Sequence, residues 1–186
     1  MTSEKERLGS LILCVAMLLI FMQVAPQENA SAGLNEEWAR TYNGYKNGLD
    51  MSYRIIVDES SNVYVTGPSW GGGGCVGGVC GGPMHDFTTI KYDRFGVEQW
   101  ARRWNGEGDA YDIPKDMTRD PTTGNIYVVG ESTSEYGYFY DELDYAVVAY
   151  DSAGTELWVR TFEGTAEEND SAYAVTVDPS SGNGRR

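Results

Sequence analysis

The residues best suited to chemistry in this chain lie in one glycine-rich stretch and just after it. Cys75 and Cys80 stand five positions apart within SWGGGGCVGGVCGG, residues 69–82, and His85 and Asp86 follow soon after. Two thiols and a histidine can bind a soft metal, two thiols alone can form a disulfide, and a glycine-rich loop can hold a phosphate. The composition and the rest of the sequence discriminate between these three chemistries.

The composition and spacing disfavour the first and the last of them. The stretch has no Gly-Lys-Ser/Thr ending and no helical pattern after it, and a formal net charge of −14 repels anions. Zinc sites usually carry Cys-x2-Cys pairs and four ligands, which Cys75-x4-Cys80-x4-His85 does not match. We predict no metal and no cofactor. We predict a disulfide between Cys75 and Cys80, because the glycines between them let the chain reverse sharply.

The N-terminus predicts export from the cytoplasm. Residues 11–22, LILCVAMLLIFM, form an unbroken apolar run that is too short for a membrane span, which needs about 20 residues. Small residues follow at Ala30-Ser31-Ala32, as at a signal-peptide cleavage site. We therefore predict a signal peptide over residues 1–32 and a mature chain over residues 33–186 with no membrane span. The mature chain would be secreted, periplasmic or on the cell surface, where thiols oxidise.

The charge and the residue inventory exclude several function classes. The chain holds 14 basic and 28 acidic residues, whereas nucleic-acid binding needs a basic surface. A single histidine, His85, leaves little material for general-base catalysis at neutral pH. We predict that the protein is not an enzyme.

The mature chain is built from an internal repeat of about 60 residues. The segments EEWARTYNG, EQWARRWNG and ELWVRTFEG place Trp38, Trp100 and Trp158 in equivalent positions. The segments DFTTIKYDRFG and DYAVVAYDSAG recur in phase with them, at Asp86 and Asp144. Because these runs are rich in β-branched and aromatic residues, each predicts a short strand.

Tight turns separate the predicted strands. Asp93 to Gly96 and Asp151 to Gly154 each join two strands, and the glycine permits the positive φ that such a turn requires. One repeat then holds four strands. A four-stranded antiparallel unit buries both faces when copies stack radially, as in a β-propeller. The predicted fold is therefore all-β: an incomplete β-propeller of four-stranded antiparallel blades, with two complete repeats and part of a third. The tryptophans are expected to pack between neighbouring blades.

These segments resemble the SBBP-type β-propeller repeat family. The resemblance lies in the run from Asp86 to Asp93, in Gly96 and Trp100, and in NIYVVG at residues 125–130, and it spans most of residues 36–183. The Asp-x-x-Gly-x-x-x-Trp element also looks like the tryptophan-docking motif of quinoprotein dehydrogenase propellers. The family resemblance implies a repeat scaffold on secreted or surface proteins of bacteria and archaea, and it implies no shared catalytic residues.

The chain departs from a regular repeat at two places. Pro114 and Lys115 fall where apolar strand residues are expected, which predicts an irregular edge strand. The sequence also stops at GNGRR, inside its third repeat, whereas closed propellers usually have at least four blades. We expect an N-terminal fragment, completed by further blades from missing sequence or by self-assembly.

Two insertions at the same phase of the repeat are the predicted binding loops, at residues 68–85 and 131–143. The tyrosines of the second loop are expected to extend a strand and pack on a neighbouring blade. The alternative is a sugar- or peptide-binding rim, in which they give rigid contact area. Its acidic residues and those of residues 105–112 do not match the twelve-residue calcium loop. The candidate binding residues are Trp70, Tyr136, Tyr138, Tyr140 and Asp141.

The predicted function is that of an exported, non-catalytic scaffold for surface structure, adhesion or interaction. The alternative is a carbohydrate- or protein-binding module that uses the two loops, with an unknown protein or glycan as its ligand. A quinoprotein- or hydrolase-type propeller enzyme is a further alternative, and it would require acids, bases or a cofactor site converging in a central funnel.

Overall fold

The fold was analysed on a computed structural model of the chain. The structure describes residues 36–44, 47–72, 75–76, 79–80, 84–107, 111–136, 141–164, 169–178 and 183–185. For residues 75–76, 79–80, 134–136, 141–142 and 183–185 only the backbone is described. The strands all belong to the compact unit Glu37–Arg186, and the predicted signal peptide and its cleavage site lie outside the described residues.

The first sheet has four antiparallel strands in the order β1-β2-β5-β6. Its strands are β1 (Arg54–Val57), β2 (Val63–Gly72), β5 (Met84–Tyr92) and β6 (Glu98–Trp104). Between β2 and β5 the chain forms a small separate hairpin of β3 (Cys75–Val76) and β4 (Val79–Cys80). Alternate residues of β1, β2 and β5 face opposite sides of the sheet, so Val65 and Ile90 lie on one face and Tyr64 on the other.

The second sheet repeats this arrangement without the inserted hairpin. Its strands are β7 (Asp112–Arg119), β8 (Ile126–Tyr136), β9 (Asp141–Tyr150) and β10 (Glu156–Phe162), each paired antiparallel with its neighbour in the chain. After this sheet, β11 (Thr176–Asp178) pairs with β12 (Asn183–Arg185) in a two-stranded sheet. The prediction of an all-β fold with four-stranded antiparallel units is therefore confirmed.

The two sheets pack against each other through apolar faces, as the alternation of their strands dictates. Tyr64, Phe87 and Trp100 of the first sheet meet the second sheet, in which Ile126 and Val128 are completely buried. The buried cluster consists of Tyr64, Phe87, Trp100, Met117, Ile126, Val128, Ala146, Val148 and Tyr150. The burial of these large apolar side chains is the main favourable contribution to the free energy of folding.

The predicted turns and the predicted irregularity lie where the repeat places them. Gly96 and Gly154 have φ of 73° and 79°, and each N–H donates to the carbonyl of the aspartate three residues before it. Strand β7 is at the edge of its sheet, and its register shifts between Pro114 and Asp116 because proline cannot donate to the ladder.

Much of the insertion at residues 68–85 is strand rather than loop, whereas the strand extension favoured for residues 131–143 is present in the backbone. Strand β2 runs to Gly72 and β5 begins at Met84, so Trp70 is a strand residue paired with His85. Likewise β8 and β9 extend until Tyr136 pairs with Asp141. The backbone ladder continues because its hydrogen bonds do not depend on apolar side chains.

Within the described residues, no helix is long and apolar enough to cross a membrane.

Candidate functional site

The first repeated contact joins an extended arm, residues 36–44, to the turn between β5 and β6. The Trp38 indole Nε1 donates to the Arg94 carbonyl at 3.1 Å, and Arg40 Nε donates to the Gly96 carbonyl at 2.7 Å. The Arg40 guanidinium also lies 5.9 Å from the Trp38 ring centre. A Cβ at Gly96 would lie 2.7 Å from that ring, so glycine is required for the close approach as well as for its φ.

The second repeated contact joins β6 to the turn between β9 and β10 in the same way. Trp100 Nε1 donates to the Ser152 carbonyl at 3.3 Å, and Arg102 Nε donates to the Gly154 carbonyl at 2.6 Å. The Trp100 ring lies between Tyr64 of its own sheet and Tyr150 of the next, with ring centres 6.1 and 6.2 Å away. We call each such set, a tryptophan and an arginine on one turn, a Trp–Arg dock.

A third Trp–Arg pair is present in β10. The Arg160 guanidinium lies 5.8 Å from the Trp158 ring centre, and the ring packs on Tyr127 of its own sheet at 5.9 Å. The guanidinium–ring distance repeats the 5.9 Å of the first two pairs, and the ring–ring distance is close to the 6.1 Å between Trp100 and Tyr64. Trp158 is 37% exposed, whereas Trp100 is 7% exposed. Among the described residues, no turn carbonyl accepts a hydrogen bond from the Trp158 indole.

The aspartates that open these turns fix their shape. Asp93 Oδ1 accepts hydrogen bonds from the N–H groups of Phe95 and Val97, and Asp151 Oδ1 accepts from those of Ala153 and Thr155. The backbone N–H of Thr155, with smaller contributions from neighbouring donors, holds the pKa of Asp151 below its usual value. The charged carboxylate therefore stabilises the turn that Trp100 contacts.

The opposite edge of the sheets carries a repeated aspartate, and we call this edge the loop edge. There a carboxylate accepts a backbone hydrogen bond from the glycine that ends the preceding outer segment. The three pairs are Gly44 to Asp50 at 2.8 Å, Gly106 to Asp112 at 2.7 Å and Gly164 to Asp170 at 2.7 Å. The extended ends of β2, β5, β8 and β9 reach the same edge, and so the predicted binding residues belong to it.

His85 and Asp86 are buried at the loop edge. The His85 ring contacts Trp70 edge-on at 6.4 Å and stacks on Tyr111 at 6.5 Å between ring centres. Its Nε2 is buried and has no hydrogen-bond partner among the described residues. The Asp86 carboxylate forms an ion pair with Arg103. Among the described residues, no three His, Cys, Asp or Glu side chains are grouped to hold a metal.

The other predicted site residues are placed only in part. Cys75 and Cys80 are direct partners in the register of the β3–β4 hairpin, but their side chains are not among those described. The same holds for the side chains of Tyr136 and Asp141, and Tyr138 and Tyr140 lie outside the described residues. The binding role of this group therefore stays a prediction.

Sequence reasoning did not find the arginine half of each Trp–Arg dock. The signal was present, because Arg40, Arg102 and Arg160 each follow a repeat tryptophan by two positions. It was overlooked because an exposed arginine in a strand is usually solvated, and nothing in the spacing shows that its Nε reaches a turn carbonyl 52 to 56 residues away in the chain.

Comparison with known proteins adds no family to this geometry. No protein-family model matches the chain, and no curated protein matches it at a significant level. The resemblance to SBBP-type repeats therefore rests on the residues quoted for it.

Proposed function

We propose that the chain is a β-propeller repeat scaffold of an exported protein, and that it acts by binding and assembly rather than by catalysis. The observation that carries the proposal is the Trp–Arg dock, which occurs twice and is presented a third time by Trp158 and Arg160. A contact that repeats with the same donors and acceptors is the joint expected between successive blades.

The exposed face of the first sheet supports the same proposal. Ile55 and Val57 of β1 are 62% and 63% exposed, and they share a face with Val63 and Val65. The corresponding face of the second sheet, with Ile126 and Val128, is buried against the first sheet. Exposed apolar faces of this kind favour association with another sheet.

The partner that fits Trp158 and Arg160 is an Asp-x-x-Gly turn on a four-stranded sheet, and a second copy of the chain carries such turns. The turn at Asp93–Gly96 can exchange its partner, because Trp38, which occupies it, lies on an arm that belongs to no sheet. The proposal therefore predicts head-to-tail association, in which Trp158 of one copy replaces Trp38 of the next.

Sedimentation velocity over a range of protein concentrations tests this prediction. Trp158→Ala should weaken association at least about tenfold, because a central tryptophan is a typical hot spot. Trp38→Ala should strengthen it by uncovering the turn. Leu157→Ala, which alters the preceding exposed residue of β10, should leave it unchanged. Association that is indifferent to Trp158, or a monomer at every concentration, would contradict the assembly. Turnover of a chromogenic substrate panel would contradict the non-catalytic assignment.

A further inference from the structure

The first sheet contains a buried ion pair that the described part of the second sheet lacks. In the first sheet, the guanidinium of Arg103 on β6 pairs with Asp86, whose side chain is 7% exposed, and also reaches the Ser69 carbonyl at 3.5 Å. Asp86 lies opposite Ser69, and Arg103 lies opposite Thr88. The carboxylate is thus compensated by a cation from the outer strand of its own sheet.

The second sheet keeps the carboxylate but not the cation. Asp144 lies opposite Ser132, and Thr161 lies opposite Ala146, so these residues occupy the register positions of Asp86 and Arg103. Asp144 is 7% exposed, and within the described part of the chain its carboxylate has neither a hydrogen-bond donor nor an ion-pair partner. The acceptor capacity of this carboxylate is therefore not used by any described group of the chain.

A cavity of about 310 Å³ lies beside this carboxylate. Its second-sheet wall includes Asp144, Ser132 and Thr161, and its first-sheet wall includes Trp104 and Asn105. The replacement of an arginine by a threonine leaves room where the first sheet holds a guanidinium. Carboxylate and carbonyl oxygens accept the planar donor fork of a guanidinium, and an indole ring offers a surface on which it stacks.

We propose that the cleft beside Asp144 is a binding site for a guanidinium group, supplied by an arginine side chain or by a small guanidinium compound. The contacts of Arg103 with Asp86 and Ser69 show the recognition chemistry within the same molecule. The acidic chain, with its net charge of −14, also attracts cations to the surface. The site does not depend on the proposed assembly, because one copy of the chain supplies its walls.

Isothermal titration calorimetry with methylguanidinium and with N-acetyl-arginine amide tests the site at matched ionic strength. We expect saturable binding of one equivalent with a dissociation constant on the order of 1 mM. N-acetyl-lysine amide, which lacks the planar fork, should bind at least about fivefold more weakly. Tighter binding of the arginine amide would identify a peptide arginine as the natural ligand, and equal or tighter binding of methylguanidinium would identify a small compound.

Two variants and a matched control locate the binding in the cleft. Asp144→Asn should weaken binding at least about tenfold, and Thr161→Arg should abolish it by placing the chain's own guanidinium beside Asp144. Thr41→Arg, at the equivalent position of the arm, adds the same charge and should leave binding unchanged. Absence of saturation with the wild-type protein, or equal binding by all three variants, would overturn the proposal. Far-UV circular dichroism of each variant checks that it is folded.

Discussion

Replacing Gly154 by alanine measures how closely the Trp–Arg dock is packed. Gly154 has φ of 79°, and a Cβ added there would meet the Trp100 ring at 2.7 Å. Gly124 is a matched control with φ of 77°, but its nearest contact is the Ser152 Cβ at 3.4 Å, which is ordinary van der Waals distance. The two substitutions therefore share the backbone cost and differ in the steric contact with the indole.

The backbone cost of alanine in the left-handed region is about 1 kcal/mol. For Gly124→Ala this is the whole expected effect. Gly154→Ala must in addition displace a tryptophan that is 7% exposed and held by two tyrosines, and such overpacking costs about 1–3 kcal/mol more. The expected loss in the free energy of unfolding is thus about 2–4 kcal/mol for Gly154→Ala.

Urea unfolding followed by far-UV circular dichroism gives both values, with equal m-values as the check on two-state behaviour. A double-mutant cycle sharpens the result. In a Trp100→Leu background, whose shorter side chain no longer reaches the turn, the cost of Gly154→Ala should fall to that of Gly124→Ala. Equal costs for the two glycines in the wild-type background would refute the close approach of Trp100 to the turn.

Three further predictions concern two of the repeat tryptophans, the Asp151 carboxylate and the two cysteines of the β3–β4 hairpin. Trp100→Ala should cost about 4 kcal/mol in urea unfolding, and Trp158→Ala, at 37% exposure and with one packed face, about 2 kcal/mol; equal costs would contradict the difference in burial. Because hydrogen bonds lower the pKa of Asp151 in the folded state, its contribution is present above about pH 4 and lost as pH falls through the folded value. Asp151→Asn should therefore flatten the dependence of unfolding free energy on pH below about pH 4, and an unchanged slope would exclude this carboxylate. Thiol titration of the folded protein, produced by secretion with its predicted signal peptide, should find Cys75 and Cys80 oxidised, since the β3–β4 ladder places their backbones opposite each other; two reactive thiols would contradict the disulfide.

Local features of the sequence were sufficient to predict the strands and turns. The apolar runs around Val128 and Val148 have β-branched and aromatic character, and the turns at Gly96 and Gly154 need a residue that tolerates positive φ. Both kinds of signal act within a few residues. The internal repeat then showed that the same unit occurs more than once.

Contacts that depend on register and on distant backbone could not be predicted. The ends of β2 and β5 around Trp70 look like a glycine-rich loop, yet the ladder continues through them because backbone groups supply its hydrogen bonds. The contrast between Asp86 and Asp144 depends on Arg103 and Thr161, which become equivalent neighbours only when the strands are paired. A one-residue change of register would move these side chains to the other face.

The acceptors in both Trp–Arg docks are main-chain carbonyls rather than side chains. The indoles donate hydrogen bonds to the carbonyls of Arg94 and Ser152, residues that differ in charge and size. The arginines donate to the carbonyls of Gly96 and Gly154. Every residue provides such a carbonyl, so the dock requires from its partner the turn shape set by Asp-x-x-Gly and places little restriction on the other side chains. Units joined in this way are interchangeable in order: one can be duplicated, lost or moved along the chain while the joint to its neighbour stays intact, and each unit is left to vary its sequence at the loop edge.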